Sequence, residues 1–179
     1  MPRTITLELE EDLYNYLEFL ERVRFVRSKE EAIVKALHFF KRLSMHDWLP
    51  KIYRIGNSRI ILFDRGMLLD IFEHLTESEI YNIGRLTALK RKVLKPEFRD
   101  IDLTKPDNWM IVLRELENFG WGVFSKVEKE IKVEYCAVPI PYLRGYLETM
   151  FQVELREHRT DIEGLVIFIV EGRKRDVWL

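Results

Sequence analysis

A chain of 179 residues with 47% apolar side chains is long enough for one ordinary domain, or for a small module joined to a medium one. Its net charge of −1 excludes a general positive field for nucleic-acid binding, and its single cysteine excludes an internal disulfide and a cysteine-based zinc site. The longest apolar run, Leu165–Val170, is too short to span a bilayer, so we expect a cytoplasmic protein with no membrane partner. The abundance of Glu, Lys and Arg leans towards the composition of thermophilic proteins.

The charge is unevenly distributed along the chain. It is −1 for residues 1–50, +4 for residues 51–99 and −4 for residues 100–179. No segment is strongly basic, so binding to nucleic acid must depend on geometry and a few placed cations.

The first 45 residues predict one strand followed by two helices. Thr4–Leu9 alternates apolar and polar side chains, which is typical of a strand. A first helix follows, and a second begins at the capping box formed by Ser28 and Glu31 and ends near Leu43. A lone strand is unstable in water, and so short a module cannot bury a core by itself.

Two copies of this module would solve both problems. If their strands pair antiparallel, Ile5, Leu7 and Leu9 point into a core that four helices enclose. The outward face of the paired strands then forms a ribbon narrow enough for the major groove of DNA. The pattern therefore predicts an intertwined homodimer.

The segments TITLEL, EEDLYNYLEFL and VRSKEEAIVKAL resemble the ribbon-helix-helix (Arc/MetJ-type) family of DNA-binding dimers over about a quarter of the chain. The resemblance implies that outward strand residues read bases and that the second helix begins against a phosphate. It assigns base reading to Thr4, Thr6 and Glu8, and the phosphate to Ser28 and Lys29. Arg3, Arg27 and Lys29 would supply the cationic contacts to phosphates.

Glu8 departs from the family, whose outward positions often carry Arg, Lys or Asn. A carboxylate accepts a hydrogen bond from cytosine N4 but repels phosphates. An alternative therefore stays open, in which the N-terminal module only dimerises and the protein is a ligand-binding or assembly protein that does not bind DNA.

The aperiodic segment HDWLPK, residues 46–51, predicts a boundary between a module at 1–45 and a second domain at 51–179. The sequence pattern predicts an α+β fold for the second domain. Its predicted elements are a strand at 59–63, helices at 67–75, 76–94 and 106–118, strands at 119–126 and 130–138, a helix at 142–151, and strands at 153–158 and 165–171.

The segments YNIGRLTAL, FGWGVFSK and YLRGYLETMFQVELREHRTDIEGLVIFIVEG resemble 4-vinyl-reductase-type ligand-binding domains, which subunits of vesicle-tethering complexes share. The resemblance covers roughly residues 55–172 and implies binding of a small, mostly hydrophobic effector. A pocket would draw on residues that combine apolar bulk with polar groups, namely Trp121, Tyr135, Cys136, Tyr142 and Tyr146.

A second local match, KIYRIGNSRIILFDRGML, resembles the AbrB-type swapped-hairpin DNA-binding motif. It lacks the proline that normally follows the strand, and the next segment has a helical pattern where that family has strands. We therefore interpret this match as coincidental.

Motifs for catalysis are missing from the sequence. There is no phosphate-binding glycine loop, GxSxG elbow or HExxH pair, and the four histidines are isolated. We therefore expect no enzymatic activity, no cofactor and no metal. The sequence predicts a transcriptional regulator, at least dimeric, that binds double-stranded DNA through its N-terminal module and a small-molecule effector through its second domain.

Overall fold

The computed structural model describes residues 3–43, 45–48, 50, 52–55, 58–94, 98 and 100–174. The chain divides into two compact units, Met1–Ile61 and Leu62–Leu179, called here the N-terminal and C-terminal units. The described residues contain six α-helices and two antiparallel sheets, which confirms the predicted α+β class. The segment 46–51, where the sequence predicts a boundary, lies within the N-terminal unit.

The N-terminal unit contains two helices and a small hairpin. In chain order these are α1 (Glu11–Arg22), α2 (Lys29–Arg42), a 3-10 turn (Met45–Asp47), β1 (Tyr53–Ile55) and β2 (Ser58–Ile60). Strands β1 and β2 pair antiparallel. The strand β1 is absent from the sequence prediction, which places only residues 59–63 in a strand here.

The first residues of the chain pair with no other strand among the described residues. Residues 3–10 have no regular secondary structure, although their alternation predicts a strand. The physical reason is that a strand needs a partner for its backbone N–H and C=O groups, and the described residues of one copy supply none to this segment. Neither α1 nor α2 contains a buried residue.

The C-terminal unit places four helices around a four-stranded sheet. Its elements are α3 (Arg65–Glu73), α4 (Glu77–Leu94), a 3-10 turn (Pro106–Asn108), α5 (Trp109–Asn118), β3 (Val123–Val127), β4 (Glu130–Glu134), α6 (Ile140–Phe151), β5 (Val153–Arg159) and β6 (Val166–Arg173). The strand order is β3-β4-β6-β5, and every neighbouring pair is antiparallel.

One face of this sheet and the inward faces of α5 and α6 form the hydrophobic core. Alternate residues along β4 and β6 are buried, as expected for a sheet with one covered face. The largest fully buried side chains include Leu113, Leu116, Ile131, Leu143, Tyr146, Leu147, Phe151 and Phe168. The ring of Trp109 stacks on that of Phe151 with centroids 4.6 Å apart, and its indole N–H donates to the Leu103 carbonyl at 3.0 Å.

Helices α4 and α6 approach each other so closely that their backbones touch at two glycines. A Cβ added to Gly84 would overlap the Tyr142 carbonyl oxygen, and one added to Gly145 would overlap the Tyr81 carbonyl oxygen. Both obstacles are backbone atoms of a neighbouring helix, so they cannot rotate away as a flexible side chain could. Only glycine fits at these two positions.

A buried carboxylate joins these helices to the sheet. Glu148 accepts hydrogen bonds from the Tyr81 hydroxyl, from the Lys174 ammonium at 2.6 Å and from the Leu155 backbone N–H at 3.0 Å. Its charge is thereby paired and its oxygens are satisfied, which a buried carboxylate requires.

The end of one strand and the start of another in this unit differ from the sequence prediction. The strand predicted over 130–138 ends at Glu134, because Tyr135 takes a left-handed φ of 54° that an extended strand does not allow. The predicted strand at 119–126 begins only at Val123, after two glycines with positive φ. The helix α4 covers the residues in which the swapped-hairpin family has strands.

The glycine contact between α4 and α6 makes a direct prediction. Gly84→Ala and Gly145→Ala should each lower the free energy of unfolding by about 3 kcal/mol or more, because the helices must separate to admit a methyl group. Urea unfolding followed by circular dichroism measures this effect.

Gly172→Ala is the matched control, since a Cβ at that position meets no atom within 4 Å. Unfolding energies of the Gly84 and Gly145 variants within about 0.5 kcal/mol of this control would contradict the close helix contact.

Candidate functional site

The residues to which the sequence assigns base reading lie in an exposed segment. Thr4, Thr6 and Glu8 are all exposed, and so is Arg3. The apolar residues between them are exposed as well, with 77% of Ile5, 54% of Leu7 and 38% of Leu9 accessible. None of the residues that the structure describes covers the face that a ribbon would turn inwards.

The start of α2 forms the capping box that the sequence predicts. The Ser28 hydroxyl oxygen accepts from the Glu31 backbone N–H at 3.2 Å, and the Arg27 backbone N–H donates to the Glu31 carboxylate at 2.6 Å. Hydrogen bonds from the Ser28 hydroxyl and from its own backbone N–H hold the pKa of Glu30 below its usual range. Two ionised carboxylates therefore stand at the helix end where the family resemblance implies a phosphate.

Lys29 is held by α1. Its ammonium lies 3.3 Å from a Glu21 carboxylate oxygen and 3.7 Å from one of Glu18, and 5.1 Å from the centroid of the Tyr14 ring. These contacts join the two helices and neutralise the lysine within the N-terminal unit. Among the cations that the sequence assigns to phosphates, Arg3 and Arg27 are the exposed ones.

An open groove of about 410 Å³ lies in the C-terminal unit. It is bordered by the start of α3, by the loop between β4 and α6, and by the loop between β5 and β6. The apolar side chains along it are Leu69, Val138, Ile140, Ile162, Leu165 and Val166, and the polar ones are Arg65, Cys136, Thr160 and Glu163. Its size and mixed lining suit a small, mainly apolar molecule.

Cys136 is the one predicted ligand residue that lines this groove. The thiol is buried and donates to the Val138 carbonyl at 3.3 Å. Burial raises the pKa of the Cys136 thiol, although the Val138 hydrogen bond and the Arg65 charge oppose that rise. The thiol is therefore a neutral part of the wall at neutral pH.

Three other predicted ligand residues meet elsewhere in the same unit, in what we call the aromatic cluster. The ring centroid of Trp121 lies 5.4 Å from that of Tyr142 and 5.2 Å from that of Tyr146. Phe72 packs edge-on against Tyr142 at 5.7 Å, so α3 also contributes. Tyr146 is fully buried, whereas Trp121 and Tyr142 are partly exposed.

A charged residue that the sequence analysis misses lies at the centre of the aromatic cluster. The Arg91 guanidinium stacks 4.4 Å from the Phe119 ring centroid and lies within 6 Å of the Trp121 and Tyr146 centroids. One of its nitrogens lies 3.7 Å from a Glu115 carboxylate oxygen. The spacing of Arg91 from Gly84, two turns along the same helix, could have indicated that it faces α6.

Tyr135 is not brought together with the other four predicted ligand residues. Its side chain is 81% accessible, and its left-handed backbone ends β4. The five residues thus fall into three places, namely the groove, the aromatic cluster and the open surface.

In comparisons with known proteins, no family model, no curated protein and no solved structure matches the chain. In the described part of the chain, no helix combines the length and apolar character needed to cross a membrane. No group of three or more His, Cys, Asp or Glu side chains within the described ranges could hold a metal ion.

The environment of Cys136 predicts its reactivity. At pH 8 the folded protein should react with a soluble aromatic disulfide more than about tenfold more slowly than the urea-unfolded protein, because burial both shields the thiol and suppresses the thiolate. Absorbance of the released aromatic thiol measures both rates, with a small free thiol at each urea concentration as the control. Equal rates would contradict the buried position of this side chain.

Proposed function

We propose that this protein is a dimeric DNA-binding transcriptional regulator whose C-terminal unit senses a small hydrophobic ligand. The observation that carries the proposal is the N-terminal unit, in which an exposed alternating segment precedes two helices without a buried residue. Such a sequence is stable only when something covers its apolar faces.

A second copy of the chain is the partner that fits these faces. Large apolar side chains are exposed along the whole N-terminal segment, namely Ile5, Leu7, Leu9, Leu13, Tyr16, Phe19, Val34, Leu37 and Phe40. Pairing two copies of residues 4–9 would satisfy the backbone groups of both strands at once. It would also turn the apolar residues of this segment, Ile5, Leu7 and Leu9, towards the helices, where they would be buried.

The paired strands would present Thr4, Thr6 and Glu8 on their outer face. A two-stranded ribbon enters the major groove, where hydroxyl groups bond to base edges and a carboxylate accepts from cytosine N4. Arg3 and Arg27 would contact phosphates on either side of the groove. In a dimer this gives about four cationic phosphate contacts, a small number for a DNA-binding protein.

The groove supports the sensing role. Its apolar lining and its volume of about 410 Å³ match a small ligand that is mainly hydrophobic. A ligand that favours one spacing of the two ribbons would change DNA affinity, because ligand and DNA would then select between the same two arrangements of the dimer.

A second function is favoured by the acidic start of α2. Glu30 and Glu31 are ionised at this helix end, and Lys29 is paired with Glu18 and Glu21. Glu8 would lie on the outward face of the proposed ribbon. All of these weaken attraction to phosphates. In this alternative, the N-terminal unit only dimerises and the protein binds its ligand, or assembles with other proteins, without DNA.

A mobility-shift assay with DNA from upstream of the protein's own coding region separates the two functions. The regulator should shift this DNA in the presence of unrelated competitor, with log K falling against log salt with a slope of about −3 to −4. Thr4→Ala combined with Thr6→Ala should remove the preference for the upstream DNA and leave the dimer intact.

Glu8→Gln is the companion variant. It removes a negative charge from the groove-facing surface, so it should strengthen binding to unrelated DNA several-fold while changing the base preference at one position of each half-site. A folded dimer that gives no sequence-specific shift at any salt concentration supports dimerisation alone and refutes the regulator.

A further inference from the structure

Helix α4 is apolar on two opposite sides. The side that packs inwards carries the buried residues Ile80, Gly84 and Ala88. The opposite side carries exposed apolar residues, namely Ile83, Leu86, Leu89 and Val93. A helix with one buried side normally has polar residues on the other, and a continuous exposed apolar row marks a contact surface.

Four exposed residues on the outward side form a line along the helix, called here the α4 seam. They are Glu79, Ile83, Leu86 and Lys90, at successive intervals of four, three and four residues. This spacing keeps side chains on one stripe and is the spacing at which two helices pack side by side. The seam therefore has two apolar residues in its middle and charges of opposite sign at its ends.

A second copy of α4 that runs antiparallel matches this seam at every position. If the two-fold axis passes between residues 84 and 85, Ile83 of each chain faces Leu86 of the other. The same axis brings Glu79 of each chain to Lys90 of the other, so every contact is made twice. A parallel pair would place like charges together at both ends of the seam, which is unfavourable.

We propose that the α4 seam is a homodimer interface, through which two C-terminal units pair with their α4 helices antiparallel. The apolar residues in the middle supply the burial, and the charges at the ends fix the direction and the register. This interface goes beyond the proposed function, which assigns dimerisation to the N-terminal unit alone. It requires neither DNA nor a small-molecule ligand.

The carboxylate of Glu79 is ordered and charged before any partner arrives. Its Oε2 accepts from the Thr76 backbone N–H at 2.8 Å and from the Thr76 hydroxyl at 2.7 Å. These two bonds hold the pKa of Glu79 below its usual range, so the group is ionised at neutral pH. Its other oxygen, Oε1, takes part in neither bond and can accept from a lysine ammonium. Because the side chain is already held, the contact costs little further side-chain entropy.

The size of the seam sets the expected strength of the contact. Two apolar layers on one helix form a small interface, so C-terminal units should associate by themselves with a Kd on the order of 100 µM. Chains already joined through a paired N-terminal ribbon would have an effective concentration on the order of 1 mM. The α4 pair would then be mostly formed.

Distances between spin labels test the antiparallel arrangement in the full-length protein. A nitroxide is attached at Ser78→Cys or at Arg85→Cys, each combined with Cys136→Ser so that only one thiol reacts. With the proposed axis, the two Ser78 labels lie thirteen residues apart along the helix direction, which is about 20 Å. The two Arg85 labels are nearly level and are separated mainly by the distance between the helix axes, about 10 Å.

Electron paramagnetic resonance should therefore give a narrow distance distribution near 20 Å or slightly above it for Ser78→Cys. It should give strong dipolar broadening, the mark of a shorter distance, for Arg85→Cys. Equal distances for the two labels would show parallel helices, and broad distributions for both would show that the α4 helices do not meet. Either result overturns the inference.

Sedimentation equilibrium measures what the apolar middle of the seam contributes. In a Leu7→Glu background, which disables the N-terminal ribbon, Leu86→Glu should raise the dimer Kd at least about tenfold, because it places two carboxylates in the contact. Ile111→Glu is the matched control, since it makes a similar change at an exposed position of α5 and should leave the Kd unchanged. Urea unfolding verifies that each variant is folded.

The end charges are tested in the same background. Lys90→Glu should raise the dimer Kd about tenfold, because it turns two attractive pairs into repulsive ones, and the added change Glu79→Lys should reverse most of that loss. Lys129→Glu alters the charge equally at another exposed lysine and should have no effect.

The remaining outcomes identify other occupants of the seam and overturn the inference. A chain that stays monomeric in the Leu7→Glu background while Leu86→Glu lowers its free energy of unfolding would show that another part of the same chain covers the seam. A monomer whose stability Leu86→Glu leaves unchanged would leave the seam to a different protein. The proposed function is measured separately, by the upstream DNA shift and by protection of residues 4–9, so it can stand when the α4 interface fails.

Discussion

The contact between the backbones of α4 and α6 at Gly84 and Gly145 is the constraint on which the C-terminal unit depends. Both glycines face a carbonyl oxygen of the other helix, so the helices meet at a distance that any larger residue would prevent. Farther along the same crossing, the close approach brings Arg91 of α4 within 5.9 Å of the centroid of the Tyr146 ring of α6. It also brings Tyr81 to Glu148, which joins the helices to the sheet. The aromatic cluster and the position of the buried Glu148 carboxylate thus both depend on glycine, which has no side chain, at positions 84 and 145.

The N-terminal unit, by contrast, does not bury the apolar faces of its own two helices. Its helices are well formed, with carboxylates in the first turn and a capping box at Ser28, yet none of their residues is buried. Local signals therefore define the helices, while the apolar faces remain exposed to solvent in a single copy. This contrast is the basis on which we propose self-association for one unit and ligand binding for the other.

Local patterns in the sequence were sufficient to predict most elements but few of the contacts between them. The capping box at Ser28 locates the start of α2, and the strand pattern over 130–138 locates β4, because these signals act within a few residues. The early end of β4 at Tyr135 depends on a backbone angle that no local pattern specifies. Arg91 is a typical surface residue by composition, and only the fold places it among aromatic rings. For the same reason, the sequence predicts one pocket from five residues, whereas the structure brings only Trp121, Tyr142 and Tyr146 together.

Hydrogen exchange at residues 4–9 measures most directly whether a second copy completes the N-terminal unit. In a paired ribbon, backbone N–H groups bond across the strands at alternate residues. We therefore predict that every second amide in this segment is protected, that protection decreases on dilution, and that Leu7→Glu abolishes it whereas the outward Thr6→Glu does not. Exchange of all these amides at the rate of an unstructured peptide, at concentrations where the C-terminal unit is folded, would contradict the account.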